Sequence, residues 1–131
     1  GVVGAATAQS WPPTDGGTLV VIQGPRFSSR AESAHHAAAG WSIVGMTGMP
    51  EASLARELAL CYTAVAVVTD HDAGVEAGAG VTHREVLDVF ARSVGRLRTL
   101  LAAAIEQLPQ QRDCACADAL DGQPLPFALP T

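Results

Sequence analysis

Three short, continuous apolar runs set the strongest constraint on what this chain folds into: TLVVIQ at residues 18–23, SIVGM at 42–46 and CYTAVAVVT at 61–69. None alternates apolar with polar residues. Runs of this length and β-branched content suit strands buried on both faces, as in a parallel sheet covered by helices. The segments between them read as helices. Ser28 or Ser29 caps one over about residues 30–39, and Gly40 stops it in the favoured position just past the end. Pro50 opens a second, which ends near Leu60, with Glu51 in its first turn facing the positive end of the helix dipole. A longer helix begins near Thr82 and stops before Pro109. Its apolar stripe is Val86, Phe90, Val94, Leu97, Leu101, Ile105 and Leu108, and its polar face carries Glu85, Asp88, Arg92 and Arg96. Residues 1–17 read as an irregular lead-in, 73–81 as a glycine-rich loop and 109–131 as an irregular tail packed against the body.

The resulting order is β-α-β-α-β-α, with connections that suit parallel strands joined by crossover helices. The fold class is therefore α/β, a mostly parallel sheet with flanking helices. The 13 acidic residues outnumber 8 bases, all Arg and with no basic run. That balance argues against nucleic acid or a membrane surface as partner. No apolar stretch approaches the length of a membrane span and the first thirty residues carry no leader pattern, so a cytoplasmic setting is expected.

Open parallel sheets present ligand sites at the carboxyl ends of their strands. That rule brings three segments together: GPRFSS at 24–29, GMTG at 45–48 and TDHD at 69–72. Phe27 offers an aromatic face and Ser28 and Ser29 hydroxyls, which suit a planar ligand; the plainer reading is a core phenylalanine beside a capping serine. Met46 and Thr47 precede a helix, where Thr47 either holds an anion or merely caps. Asp70 and Asp72 place two carboxylates directly after the most apolar run, with no Lys in the chain to pair them. An aspartate there accepts from a ring amine and shares a proton with a ring nitrogen, which is acid catalysis on a leaving base; an Asx-turn is the alternative. His71 is expected to face the other way.

The remaining candidates are weaker. His35 and His36 are adjacent on a helix and cannot share a metal as an i, i+4 pair would, and Cys61 reads as a buried strand residue. Cys114 and Cys116 are too closely spaced for a usual zinc half-site and have no second pair, so they close a small disulfide or stay reduced, and no metal site is expected. No phosphate-loop, dinucleotide, nucleophile-elbow or zinc-protease motif is present.

At GTLVVIQGPRFSSRAES (17–33), VGMTGMPEASLARELALCY (44–62) and VVTDHD (67–72) the sequence resembles the trimeric purine nucleoside phosphorylase family, and within it the 5′-methylthioadenosine phosphorylase branch. The Cys114-Ala115-Cys116 motif resembles the C-x-C of some relatives of this branch. The resemblance implies the phosphorylase/nucleoside hydrolase-like fold and a salvage reaction: phosphate attacks the anomeric carbon of a nucleoside as the purine leaves. Inorganic phosphate is a co-substrate and no cofactor is needed. By the same resemblance Phe27 lies near the purine, Ser28 replaces the glutamate of 6-oxopurine enzymes, Met46 lies under the ribose and Thr47 is a phosphate ligand. Asp70 replaces an asparagine of 6-oxopurine enzymes and Asp72 resembles the second acid of an adenine pocket, and Ser28 with Asp70 points to 6-aminopurines.

Two positions follow the general purine nucleoside branch instead. Gly45 stands before Met46, and His83 in VTHREVL matches the histidine that hydrogen-bonds a ribose 5′-hydroxyl. Methylthioadenosine is thus the first expected substrate, and adenosine or another 5′-modified nucleoside the alternative. A purine-binding remnant without catalysis and a hydrolytic nucleosidase are the competing classes. The family's amino-terminal half, with its glycine-rich phosphate loop and further strands, has no counterpart in these residues. The chain is accordingly expected to be the carboxy-terminal portion of one phosphorylase domain spanning 1–131, with Gly1 a break point, an amino-terminal half of the same enzyme as partner and a homotrimer as the assembly.

Overall fold

The computed structural model describes residues 1–71 and 82–128. The elements in chain order are α1 (Val2–Ala8), β1 (Leu19–Val21), α2 (Arg30–Ala38), β2 (Ile43–Gly45), α3 (Gly48–Glu57) and α4 (His83–Glu106), followed by one 3-10 turn at Ala117–Leu120. β1 and β2 pair in parallel, with Leu19 opposite Ile43, Val20 opposite Val44 and Val21 opposite Gly45. α2 forms the crossover between them, as the short apolar runs require. The pairing extends past both ends, where the Ser42 and Ile43 amides donate to the Thr18 carbonyl and the Ile22 amide to that of Gly45. The α/β expectation is met by this parallel pair and its helices.

Local chemistry explains the helix ends. Ser29, rather than Ser28, caps α2: its hydroxyl accepts from the Glu32 amide while the Glu32 carboxylate accepts from the Ser29 amide at 2.7 Å. Gly40, at φ +74, follows the last turn in the left-handed conformation that costs glycine least. Thr82 and Glu85 repeat the same reciprocal cap on α4. In α3 the backbone at Met49 is extended (φ −120, ψ 132), so regular helix begins at Pro50 as expected.

Three expectations fail. The first residues are not irregular: α1 packs Ala5 and Ala6, each 1% exposed, against Leu100 and Ala104 of α4. The Arg96 guanidinium lies 4.4 Å from the centre of the Trp11 ring and closes the other side of that contact. A seven-residue helix is marginal alone, and here tertiary packing supplies what its short length does not. Second, residues 61–69 form no strand. Among the described residues no backbone hydrogen bond joins them to a neighbour, and Tyr62, Val65 and Val68 are exposed. An apolar extended run becomes a strand only when another strand satisfies its backbone donors and acceptors. Third, the apolar stripe of α4 divides. Val86, Val94 and Leu97 are half-buried, but the second half of the helix buries Leu100 and Ala104 instead, leaving Phe90, Leu101, Ile105 and Leu108 exposed.

The tail after α4 is mostly exposed and touches the body where the Arg112 guanidinium donates to the Ala59 carbonyl at 2.7 Å. Among the described residues no helix is long and apolar enough to cross a membrane. The chain exposes 9686 Å² in all; a compact monomer of its mass exposes roughly 6,500 Å².

Candidate functional site

β1 and β2 end side by side, and the segments that follow them curl over one concavity of about 1000 Å³. Its lining includes Phe27 and Ser28 from the first segment, Met46 and Thr47 from the second, and Thr69, Asp70 and His71 from the third. Residues from each of the three segments expected to converge, 24–29, 45–48 and 69–72, therefore line it. His71 lines the concavity alongside Asp70 rather than facing away. Asp72 lies outside the described residues. His83 opens α4 and is exposed; Val86 and Phe90, one and two turns further along the same face, line the concavity while His83 itself does not.

Phe27 is 43% exposed and is not a core residue. Because Ser29 takes the capping role, Ser28 does not; its hydroxyl is buried and finds no hydrogen-bond partner among the described residues. A buried hydroxyl left unpaired costs about 1–3 kcal/mol, which a ligand's polar group can recover. Thr47 occupies the position before α3, yet its side chain makes no capping hydrogen bond. An aromatic face and two hydroxyls are thus uncommitted in the same concavity. Asp70 is half-buried, and one of its carboxylate oxygens accepts from the Thr69 hydroxyl at 2.7 Å. Among the described residues that is the one hydrogen bond the carboxylate makes, and a carboxylate has further acceptor capacity for a ligand amine.

The close approach of the first two segments depends on Gly24. A Cβ there would stand 2.9 Å from the Met46 sulfur, so the thioether lies directly on the Gly24 backbone. Residues beyond the sequence expectation hold the first segment in place. The Arg26 guanidinium forks onto the Glu32 carboxylate, with nitrogen–oxygen distances of 2.8 and 2.7 Å, and also donates to the Phe27 carbonyl at 3.0 Å. That ion pair, helped by the Ser29 amide and hydroxyl, holds the Glu32 carboxyl at about 2, well below the usual carboxylate range. The signal was present as the spacing Ser29-x-x-Glu32, which marks a reciprocal helix cap. Tyr62 donates to Glu51 at 3.3 Å on the far rim; desolvation, followed by the nearby Glu51 charge, pushes its hydroxyl above the usual range.

No trio of His, Cys, Asp or Glu ligand atoms gathers within this concavity among the described residues. Its chemistry is an aromatic face, hydroxyls and one carboxylate above two parallel strands. That set suits a planar, amine-bearing ring with a polyhydroxy or anionic substituent.

Comparison with known proteins gives a consistent picture. A profile described as the Phosphorylase superfamily matches residues 2–106. The chain is 59% identical over 128 residues to a purine nucleoside phosphorylase of Streptomyces coelicolor, covering 96% of this chain and 46% of that protein. It is 56% identical over 116 residues to an S-methyl-5′-thioadenosine phosphorylase of Mycobacterium tuberculosis, covering 88% and 44%. Among solved structures, a methylthioadenosine phosphorylase of Schistosoma mansoni in complex with adenine superposes with a TM-score of 0.79 at 34% identity, covering 90% of this chain and 47% of that one. The chain spans about half the length of the curated relatives it matches.

Proposed function

The chain belongs to the phosphorylase superfamily, and from that premise we propose that it is the carboxy-terminal portion of a phosphorylase domain cleaving 6-aminopurine nucleosides with inorganic phosphate. The first substrate is 5′-methylthioadenosine, giving adenine and 5-methylthioribose 1-phosphate. The reaction is a pentosyl transfer that needs phosphate as co-substrate and no other cofactor. The observation that carries the reading is the Asp70 carboxylate on the rim shared with the Phe27 face and the unpaired Ser28 hydroxyl. Asp70 accepts from the 6-amino group and steadies the proton arriving at N7 as the base leaves; Phe27 packs on the ring, and Asp72 completes the acidic side of the base site. Met46 lies beneath the sugar. Thr47 contributes one hydroxyl to the phosphate.

Residues 1–131 supply only part of such a site. The large exposed area and the unpaired run at 61–69 support an amino-terminal half of the same enzyme as the partner that covers them. The homotrimer and the cytoplasmic setting expected from the resemblance belong to the same proposal.

A second reading is favoured by one placement. His83 stands one turn before cavity-lining Val86, and by the resemblance it is the histidine that meets the 5′ position. A donor there favours the 5′-hydroxyl of adenosine over a methylthio group. His83→Val separates the two: on the second reading adenosine turnover falls while methylthioadenosine turnover holds, and equal effects on both remove His83 from the 5′ site.

Asp70→Asn tests the base site. A hydrogen bond to a charged group contributes about 1.5–3 kcal/mol, so kcat/KM for methylthioadenosine should fall roughly ten- to a hundredfold relative to that for inosine. An unchanged adenine-to-hypoxanthine preference sinks the Asp70 assignment.

A further inference from the structure

Cys61 follows α3 at the start of the extended run, while Cys114 and Cys116 belong to the tail beyond α4. They are brought together by the Arg112 guanidinium, which donates to the carbonyl of buried Ala59 at 2.7 Å, two residues from a cysteine on either side. The Cys61 and Cys114 sulfurs are 3.3 Å apart and all three sulfurs lie within 4.8 Å of one another, with no disulfide among them. No other trio of His, Cys, Asp or Glu ligand atoms converges in this way among the described residues. Cys61, expected from its sequence position to be a buried strand residue, is exposed, because that strand does not form.

We propose that Cys61, Cys114 and Cys116 form a binding site for one soft, thiophilic d10 metal ion, with three-coordinate Cu(I) the best match. Sulfurs about 2.3 Å from a common centre stand roughly 4 Å apart in a trigonal set. The Cys61–Cys114 separation of 3.3 Å and the 4.8 Å within which all three sulfurs lie are compatible with that figure after small side-chain adjustments. Thiolate-only sets select Cu(I) or zinc over hard cations, and zinc would call on a fourth ligand that these residues do not supply. Each thiol that binds gives its proton to solvent. Two ligands come from the tail and one from the segment that follows α3, so the ion ties the tail to the body where Arg112 already holds it. None of the three cysteines lines the concavity described above, and the site is independent of the proposed reaction.

The test uses the full-length protein, reduced and kept anaerobic. Cu(I) supplied as its bicinchoninate complex is expected to transfer one equivalent per chain, read as loss of the complex's visible absorbance. Cys61→Ser, Cys114→Ser and Cys116→Ser should each weaken that uptake at least tenfold. No transfer, or a Cys61→Ser variant that binds as tightly as the parent, overturns the proposal. Cd(II) added to the parent protein supplies a readout independent of any variant: its ultraviolet charge-transfer intensity should correspond to three thiolates, and an intensity for two overturns the three-thiol site. A Cys61–Cys114 disulfide that persists in thiol counts under these reducing conditions overturns it as well.

Discussion

Two adjacent serines divide a structural and a binding role. Ser29 is committed to the α2 cap, whereas the buried Ser28 hydroxyl is committed to nothing. Ser29→Ala should therefore destabilise by about 1 kcal/mol, the usual value of a lost cap, with adenine affinity nearly unchanged. Ser28→Ala removes no existing partner, so thermal stability should hold while adenine binding weakens. Denaturant unfolding and calorimetric titration with adenine read both effects, and the opposite pattern contradicts the division. Gly24 has a comparable position: Gly24→Ala places a methyl group against the Met46 thioether and should raise KM for the nucleoside more than it lowers stability. A loss confined to stability would mean that Met46 does not line the sugar position. The sequence made the candidates legible at this scale, because each follows an apolar run. Which hydroxyl was already in use depended on cap geometry, and adjacent serines offer both choices to the same helix.

At the scale of elements, α2 is the part of the site framework most exposed to pH. Glu32 holds Arg26 and the Ser29 amide together, and its carboxyl sits at about 2 in the folded chain. A carboxylate whose folded pKa is depressed stabilises fully above its unfolded value of roughly 4.3 and loses that contribution as pH falls toward the folded value. The segment at 24–29 should loosen on acidification within that window and stay fixed at neutral pH. The Ser29 amide shift in NMR follows Glu32 directly; a midpoint near 2 is expected, and one near 4.3 contradicts the clamp. β1, β2, α2, α3 and α4 lay close to their sequence bounds because each carries its own stop: Gly40 after α2, Pro50 at the regular start of α3, Thr82 before α4. α1 and the run at 61–69 were misread for one shared reason. Their state is decided by what lies beside them: Leu100 and Ala104 for α1, and for 61–69 no pairing strand among the described residues.

For the whole molecule, the exposed area exceeds that of a compact monomer by about half, and Phe90, Leu101, Ile105, Leu108, Val65 and Val68 all lie on it. Surface of this kind calls for cover, and the proposed amino-terminal half is what would supply it. Hydrogen exchange provides the comparison: amides of residues 64–69 should exchange freely in these 131 residues alone and become protected when the preceding half is present. Equal exchange in both states would place the missing neighbour elsewhere. Phosphate-dependent cleavage of a 6-aminopurine nucleoside is read most simply as adenine release from 5′-methylthioadenosine by the full-length protein with and without inorganic phosphate. Release should require phosphate and yield 5-methylthioribose 1-phosphate in equal amount; release of free methylthioribose without phosphate, or no release at all, overturns the proposed reaction.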